Sequence, residues 1–369
     1  MKATIMGVLV LTLCRATDIK AQVQQCATPS SELRVDRDGT VHIPAYELPL
    51  STYMSKEAKR AYIEARTSPA VELPTDTVKL RKTLDRVFYA PRLQRAEAVY
   101  PVIIEEKRIA GVRTDVVIPK EGVSIQNQDR VLINLHGGGM KVGGGMGGLL
   151  ESVPFAAVGK IEVISVDYRE APESRFPAAS EDVAAVYKEL LHRYEARNIG
   201  IYGCSAGGEL TAMVVAWLQK QQLPSPGAVG IFCEGATYEV AGDSAYTAAP
   251  LIEFLGARVL PPLAHPDVQS MRDPYLGKVG RNNPLVAPAL FPETLAKFPP
   301  TLLITGSRDI AMSATIHTHA ELVKAGVDAE LHVWDGMWHS FFSDVDLPES
   351  QEVYAVTARF FDAHLGKSR

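Results

Sequence analysis

The chain has 369 residues, of which 46% are hydrophobic and 22% are charged, as in ordinary soluble globular proteins. Its formal net charge of −5 leaves no basic surplus with which to bind nucleic acid or an anionic membrane surface. Four cysteines in a chain of this length also exclude a disulfide-stabilised scaffold. These values favour a small, largely neutral ligand.

Residues 1–21 have the composition of a secretory signal peptide. Lys2 precedes an apolar run over residues 3–13, and cleavage is expected after Ala16 or Ala21. The run is too short to cross a bilayer, which needs about 20 apolar residues, so no stable membrane insertion is expected. A secreted or periplasmic protein is therefore predicted. The alternative is a buried N-terminal helix or strand in a cytoplasmic protein.

Two helices are predicted ahead of the core. Apolar residues recur at helical spacing over residues 51–66, and a second helical piece is expected over residues 76–88. Pro69, Pro74 and Pro91 are expected to separate these helices from each other and from the first strand of the core. Helices in this position would form a cap.

Short apolar segments then alternate with helix-length segments. The predicted strands are 99–105, 112–118, 131–135, 161–166, 199–202, 229–232, 302–305 and 330–334. The predicted helices between and after them are 148–158, 178–194, 206–221, 311–325 and 349–365. Because short buried strands that alternate with helices form a mostly parallel sheet covered on both faces, the pattern predicts an α/β fold.

The interval 236–299 breaks this alternation, since it is rich in proline and glycine and has no clean period. A structureless loop of that length is improbable in a compact domain. We therefore predict a second cap or insertion segment over 236–299, packed with an N-terminal arm and cap helices over 22–95. Residues 96–235 and 300–369 would form the catalytic core.

The clearest chemical signal is the segment Gly203-Cys204-Ser205-Ala206-Gly207, between a predicted strand and a predicted helix. In this context G-x-S-x-G is typical of a nucleophile elbow, a turn so sharp that glycines must flank the serine. It would hold Ser205 Oγ clear of the backbone at the positive end of a helix. The pentapeptide is common, so an incidental serine in a glycine-rich turn is the alternative for this segment alone.

A glycine-rich segment, His136-Gly137-Gly138-Gly139, directly follows the third predicted strand. Acyl transfer places negative charge on a carbonyl oxygen, and backbone N–H groups can approach that oxygen only where side chains are absent. We predict that the N–H groups of Gly138, Gly139 and Ala206 form the oxyanion hole. His136 and Gly137 are expected to hold the loop in shape.

Asp309 and His339 complete the predicted site. Asp309 follows the seventh predicted strand, and His339 lies on a loop after the eighth. On its own, Asp309 could instead cap the next helix. Together with Ser205, however, these residues follow the chain order Ser–Asp–His of nucleophile-elbow hydrolases. The sequence therefore predicts Ser205 as nucleophile, His339 as base and Asp309 as its partner.

The motifs H-G-G-G, G-x-S-A-G-G and D-Y-R-E-A-P-E (residues 167–173) resemble the hormone-sensitive-lipase-like family of α/β-hydrolases. The resemblance implies an α/β-hydrolase fold, with an eight-stranded, mostly parallel sheet flanked by helices and a helical cap. It also implies ester hydrolysis without a metal or organic cofactor. Three residues depart from the family pattern without removing a catalytic atom: Glu170, Cys204 and Glu209.

The predicted function is that of a serine carboxylesterase acting on short- to medium-chain or otherwise small esters, as a monomer or homodimer. One alternative is an amidase or peptidase that uses the same three residues. Another is a non-catalytic binding protein on the same scaffold. Hydrolysis rates on an ester and on the matching anilide would separate these three functions.

Overall fold

The structure is a computed structural model that describes residues 32–69, 71–237, 242–248, 251, 274–280 and 282–366. The predicted signal peptide and parts of the predicted insertion lie outside these ranges. The chain divides into two units, Met1–Leu50 and Ser51–Arg369. In the described part of the first unit, two short strands, β1 (Arg34–Val35) and β2 (Val41–His42), pair in an antiparallel hairpin.

An eight-stranded sheet organises the second unit, which confirms the predicted fold class. Its strands are β3 (Val102–Ile109), β4 (Val112–Pro119), β5 (Val131–Leu135), β6 (Glu162–Val166), β7 (Ile199–Cys204), β8 (Ala228–Phe232), β9 (Thr301–Arg308) and β10 (Ala329–Trp338). Their order across the sheet is β10-β9-β8-β7-β5-β6-β4-β3. The strands β3 and β4 pair antiparallel, as do β4 and β6, and the other neighbours are parallel.

Helices flank the sheet. They are α1 (Lys56–Thr67), α2 (Thr77–Leu84), α3 (Ala90–Val99), α4 (Met146–Gly159), α5 (Ala178–Leu190), α6 (Ala206–Lys220), α7 (Asp243–Thr247), α8 (Pro292–Leu295), α9 (Met312–Lys324) and α10 (Pro348–His364). Every residue of β5, β6, β7 and β8 is buried, as expected for parallel strands covered on both faces. None of the helices in the described ranges has both the length and the apolar content that crossing a bilayer requires.

The prediction that Pro91 ends the second cap helix is wrong. α2 continues through a π-helical turn at Asp85–Tyr89 directly into α3. The wider turn shifts the hydrogen-bond ladder, so that Pro91 falls in the first turn of α3, where its missing N–H is not needed. Because residues up to Val99 are helical, β3 begins at Val102, later than predicted.

The parallel strands bring the predicted functional segments to one edge of the sheet. The strands β5, β7, β9 and β10 run in the same direction. Near their carboxyl ends, Leu135 of β5 pairs with Gly203 of β7, and Trp338 of β10 pairs with Arg308 of β9. The segments that come after these four strands therefore leave the sheet at the same edge. In open α/β sheets, ligand sites lie at this carboxyl edge.

Candidate active site

Ser205 lies in a strained turn between β7 and α6. Its backbone has φ 56° and ψ −127°, in a region that residues with a side chain rarely adopt. A Cβ atom on Gly203 would lie 2.3 Å from the carbonyl oxygen of Leu135, and one on Gly207 only 1.8 Å from it. Both contacts are with backbone, which cannot give way, so the turn requires glycine at these two positions.

The structure brings Ser205, Asp309 and His339 together. His339 Nε2 lies 2.9 Å from Ser205 Oγ, and His339 Nδ1 lies 2.8 Å from Asp309 Oδ1. Asp309 is fully buried directly after β9, and His339 directly follows β10. The three side chains form a continuous hydrogen-bonded chain from hydroxyl to imidazole to carboxylate.

Local hydrogen bonds hold the Asp309 carboxylate in position. Its Oδ2 accepts a bond from the Thr305 hydroxyl at 3.0 Å, and its Oδ1 accepts one from the Ala311 N–H at 3.0 Å. The second of these bonds is of the capping type, close to the start of α9 at Met312. Asp309 therefore makes a local backbone contact and, through the same oxygen, holds His339.

The pKa of His339 is raised above its ordinary value of 6.5. Burial acts to lower this pKa, since it disfavours the charged imidazolium. The negative charge of Asp309 and its hydrogen bond oppose burial and, with a smaller contribution from the charge of Glu151, outweigh it. The surroundings of His339 thus favour the protonated ring that a general base forms during reaction.

The loop after β5 lies next to Ser205, since a Cβ atom on Gly137 would be 3.4 Å from Ser205 Cβ. Gly138 has φ 121° and Gly139 φ 62°, and a Cβ on Gly138 would lie 1.9 Å from the carbonyl oxygen of Val142. Within the described part of the chain, no hydrogen bond occupies the N–H groups of Gly138, Gly139 and Ala206. The N–H groups predicted to form the oxyanion hole therefore have no hydrogen-bond acceptor among the described residues.

His136, at the start of this loop, helps to hold it in position. The residue is fully buried, and its ring stacks on Tyr168 with the centroids 4.2 Å apart. Its Nδ1 donates to the carbonyl oxygen of Gly137 at 2.8 Å, and the Tyr168 hydroxyl donates to the carbonyl oxygen of His136 at 2.6 Å. Burial lowers the pKa of His136, which keeps the ring neutral.

Glu151, on α4 beside the loop, is a residue of the site that the sequence motifs did not predict. Its Oε1 accepts a hydrogen bond from the Gly137 N–H at 2.8 Å, and its Oε2 accepts one from Asn134 Nδ2 at 3.1 Å. Burial raises the pKa of its carboxyl to about 7, although these two hydrogen bonds act to lower it. One signal was available in the sequence, because Glu151 is the single charged residue between Lys141 and Lys160.

Arg81 is a second residue that the motifs did not predict, and it joins the cap to the same loop. From α2, its Nε donates to the carbonyl oxygen of Lys141 at 2.8 Å, and its Nη2 donates to that of Ala171 at 3.0 Å. The guanidinium also forms a two-pronged pair with Glu173, at 2.9 and 3.0 Å. Nothing in the sequence of α2 distinguishes Arg81 from the other basic residues there, since its partners are distant in the chain.

One group of side chains in the described ranges has the composition of a metal site. The ligand atoms of Cys233, Asp309 and His339 lie within 4.8 Å of one another. However, Asp309 and His339 bond to each other, and burial raises the pKa of the Cys233 thiol well above its ordinary value, which keeps the thiol protonated. Because a metal requires the thiolate, this arrangement favours a hydrogen-bonded cluster over a metal site.

Comparisons with known proteins agree with the fold. Residues 132–343 match a family model described as the alpha/beta hydrolase fold. An acetyl-hydrolase of Streptomyces hygroscopicus is 28% identical over 258 residues, which cover 67% of this chain and 80% of that protein. The solved structure of esterase E25 is 30% identical, with a TM-score of 0.72 over 88% of this chain and 98% of its own.

An esterase from the bacterial hormone-sensitive lipase family is 26% identical, with a TM-score of 0.70 over 85% of this chain and 99% of its own. The fold and these matches define an α/β hydrolase. The chain belongs to the α/β-hydrolase fold family, since the family model covers more than half of it. The predicted resemblance to hormone-sensitive-lipase-like enzymes is confirmed, and so is the predicted enzyme class, a carboxylic ester hydrolase.

Proposed function

We propose that this protein is a serine carboxylesterase that hydrolyses small esters through an acyl-enzyme formed on Ser205. The observation that carries the proposal is the position of His339, within hydrogen-bond distance of both Ser205 and Asp309. A hydroxyl needs such a base to become a nucleophile at neutral pH.

In the first step, His339 Nε2 takes the hydroxyl proton as Ser205 Oγ attacks the acyl carbon. Asp309 holds the imidazole in the required tautomer and stabilises its charged form. The developing oxyanion is accepted by the N–H groups of Gly138, Gly139 and Ala206, at the positive end of α6. The bond to the alcohol then breaks, and the alcohol leaves with the proton from His339.

In the second step, water attacks the acyl carbon, and His339 again takes the proton. The same N–H groups stabilise the second tetrahedral intermediate, and the proton returns to Ser205 Oγ as the carboxylic acid leaves. Besides the ester and this water, the groups that act in the two steps all belong to the chain.

Short acyl chains, acetyl first, are the proposed substrate class, because one of the similar proteins is named an acetyl-hydrolase. We expect kcat/KM on p-nitrophenyl esters to be highest for the shortest chains and to fall as the chain lengthens. The matching p-nitroanilide should be hydrolysed much more slowly. Equal rates on ester and anilide would favour an amidase, and hydrolysis of neither would favour a binding protein.

The pH dependence of kcat/KM should report the titration of His339. Because its pKa is raised and the base must be neutral, activity is lost as pH falls through a value above 6.5. The midpoint of the acid limb on p-nitrophenyl acetate is therefore expected above pH 6.5. A midpoint well below that value would contradict His339 as the base.

A further inference from the structure

We propose that Glu151 is a positioning residue of this active site: its carboxyl group fixes the first peptide of the oxyanion loop, beside the turn that carries Ser205. The inference rests on the roles of Ser205, Asp309 and His339 proposed above. It assigns a function to a side chain outside the three residues that carry the reaction.

The peptide that joins His136 to Gly137 is held at both of its polar ends. Glu151 Oε1 accepts a hydrogen bond from its N–H at 2.8 Å, and the Tyr168 hydroxyl donates to its carbonyl oxygen at 2.6 Å. The next two N–H groups along the chain belong to Gly138 and Gly139, the proposed oxyanion donors. This peptide therefore sets where those two donors point.

The Glu151 carboxylate also lies close to the turn that carries Ser205. A Cβ atom built on Gly137 would lie 3.3 Å from Glu151 Oε1 and 3.4 Å from Ser205 Cβ, so the two side chains flank one point of the loop. The other oxygen of Glu151 accepts a bond from Asn134 Nδ2 at 3.1 Å. The carboxylate is therefore held between β5, the loop and the elbow.

The Glu151 carboxylate is close enough to five titratable groups for its charge to raise their pKa values: Tyr89, Tyr168, Tyr202, Cys204 and His339. Burial raises the pKa values of the tyrosines and of Cys204, so these groups stay neutral around pH 7. His339 and the Glu151 carboxyl itself, whose pKa burial raises to about 7, are thus the groups that change charge in this range. The charge of ionised Glu151 makes a small contribution that raises the pKa of His339.

Two substitutions separate the effect of the length of the Glu151 side chain from the effect of its charge. Glu151→Gln keeps an acceptor oxygen near Gly137 but removes the charge, so kcat at alkaline pH should fall by about tenfold while KM changes little. Its acid limb should also move to lower pH, because His339 loses one contribution that raises its pKa. Glu151→Asp keeps the charge but is one methylene shorter, so kcat should fall while the acid limb stays in place.

The measurement is kcat and KM on p-nitrophenyl acetate from about pH 5 to about pH 9, the range in which His339 titrates. Rates are expressed per active site titrated with an organophosphonate, which removes any contribution from misfolded protein. The matched control is Glu162→Gln, because Glu162 is also buried but begins β6 at the opposite edge of the sheet. This control should behave as wild type.

A Glu151→Gln enzyme with wild-type kcat at alkaline pH overturns the inference. If Glu151→Gln does not fold, Glu151→Asp decides the matter, and an unchanged kcat in that variant overturns the positioning role. Absence of ester hydrolysis by the wild-type protein would instead contradict the proposed function. The two failures are therefore distinguishable.

Discussion

Replacing Ser205 with alanine is expected to lower kcat on p-nitrophenyl acetate by about 10⁴-fold to 10⁶-fold, the scale seen when a nucleophile of this kind is removed. In the proposed mechanism the hydroxyl oxygen attacks the acyl carbon, and no other group replaces it. The fold should remain intact, because alanine keeps the Cβ that Ser205 already places in the strained turn. The midpoint of thermal unfolding should therefore stay within a few degrees of wild type.

The matched control for this variant is Ser180→Ala. Ser180 is a fully buried serine on α5, and its hydroxyl has no hydrogen-bond partner in the described part of the chain. Its removal should change neither kcat nor stability by much, since no bond is lost. Near-normal turnover by Ser205→Ala would rule out Ser205 as the nucleophile.

Replacing Gly207 with alanine is expected to lower the free energy of unfolding by more than about 4 kcal/mol. The added methyl group would lie 1.8 Å from the carbonyl oxygen of Leu135 and 2.8 Å from that of His136. Both atoms belong to the backbone of the adjacent strand and loop, so either the elbow or β5 must move. Urea unfolding followed by circular dichroism measures the change, and activity should be lost with it.

Gly280→Ala is the control, because a Cβ at Gly280 would have no neighbour within 4 Å among the described residues and its backbone is not in a strained region. Alanine there should leave stability unchanged or slightly higher, since it reduces the freedom of the unfolded chain. An unfolding midpoint for Gly207→Ala equal to that of Gly280→Ala would contradict the close packing of the elbow.

The central strands could be predicted from the sequence because burial on both faces imposes a continuous apolar run. The predicted strand 131–135 coincides with β5, which is buried along its whole length. The edge of the sheet was less predictable. β10 extends to Trp338, beyond the predicted residue 334, and the register shifts between Trp334 and Trp338. This extension depends on the pairing of β10 with β9, which the local sequence of residues 335–338 does not indicate.

The residues of the candidate site also differ in how far the sequence could predict them. Ser205, Gly138 and Gly139 were predictable because the chemistry restricts residue type at fixed spacing from a strand. Glu151 and Arg81 were not, since a carboxylate on one helix and a guanidinium on another become important only through the loop that both contact. The partners of Glu151 and Arg81 are distant from them in the chain, so the local sequence around each residue does not indicate these contacts.

By itself, the sequence determined the α/β alternation, the glycines at the elbow and loop, and the residue types able to transfer an acyl group. These features result from local rules of periodicity, backbone sterics and side-chain chemistry. Only the tertiary structure decided that His339 reaches Ser205 across 134 residues and that Arg81 of α2 contacts the loop after β5. The physical reason is that such distances depend on how parallel strands align and how helices pack on them, which no short segment specifies.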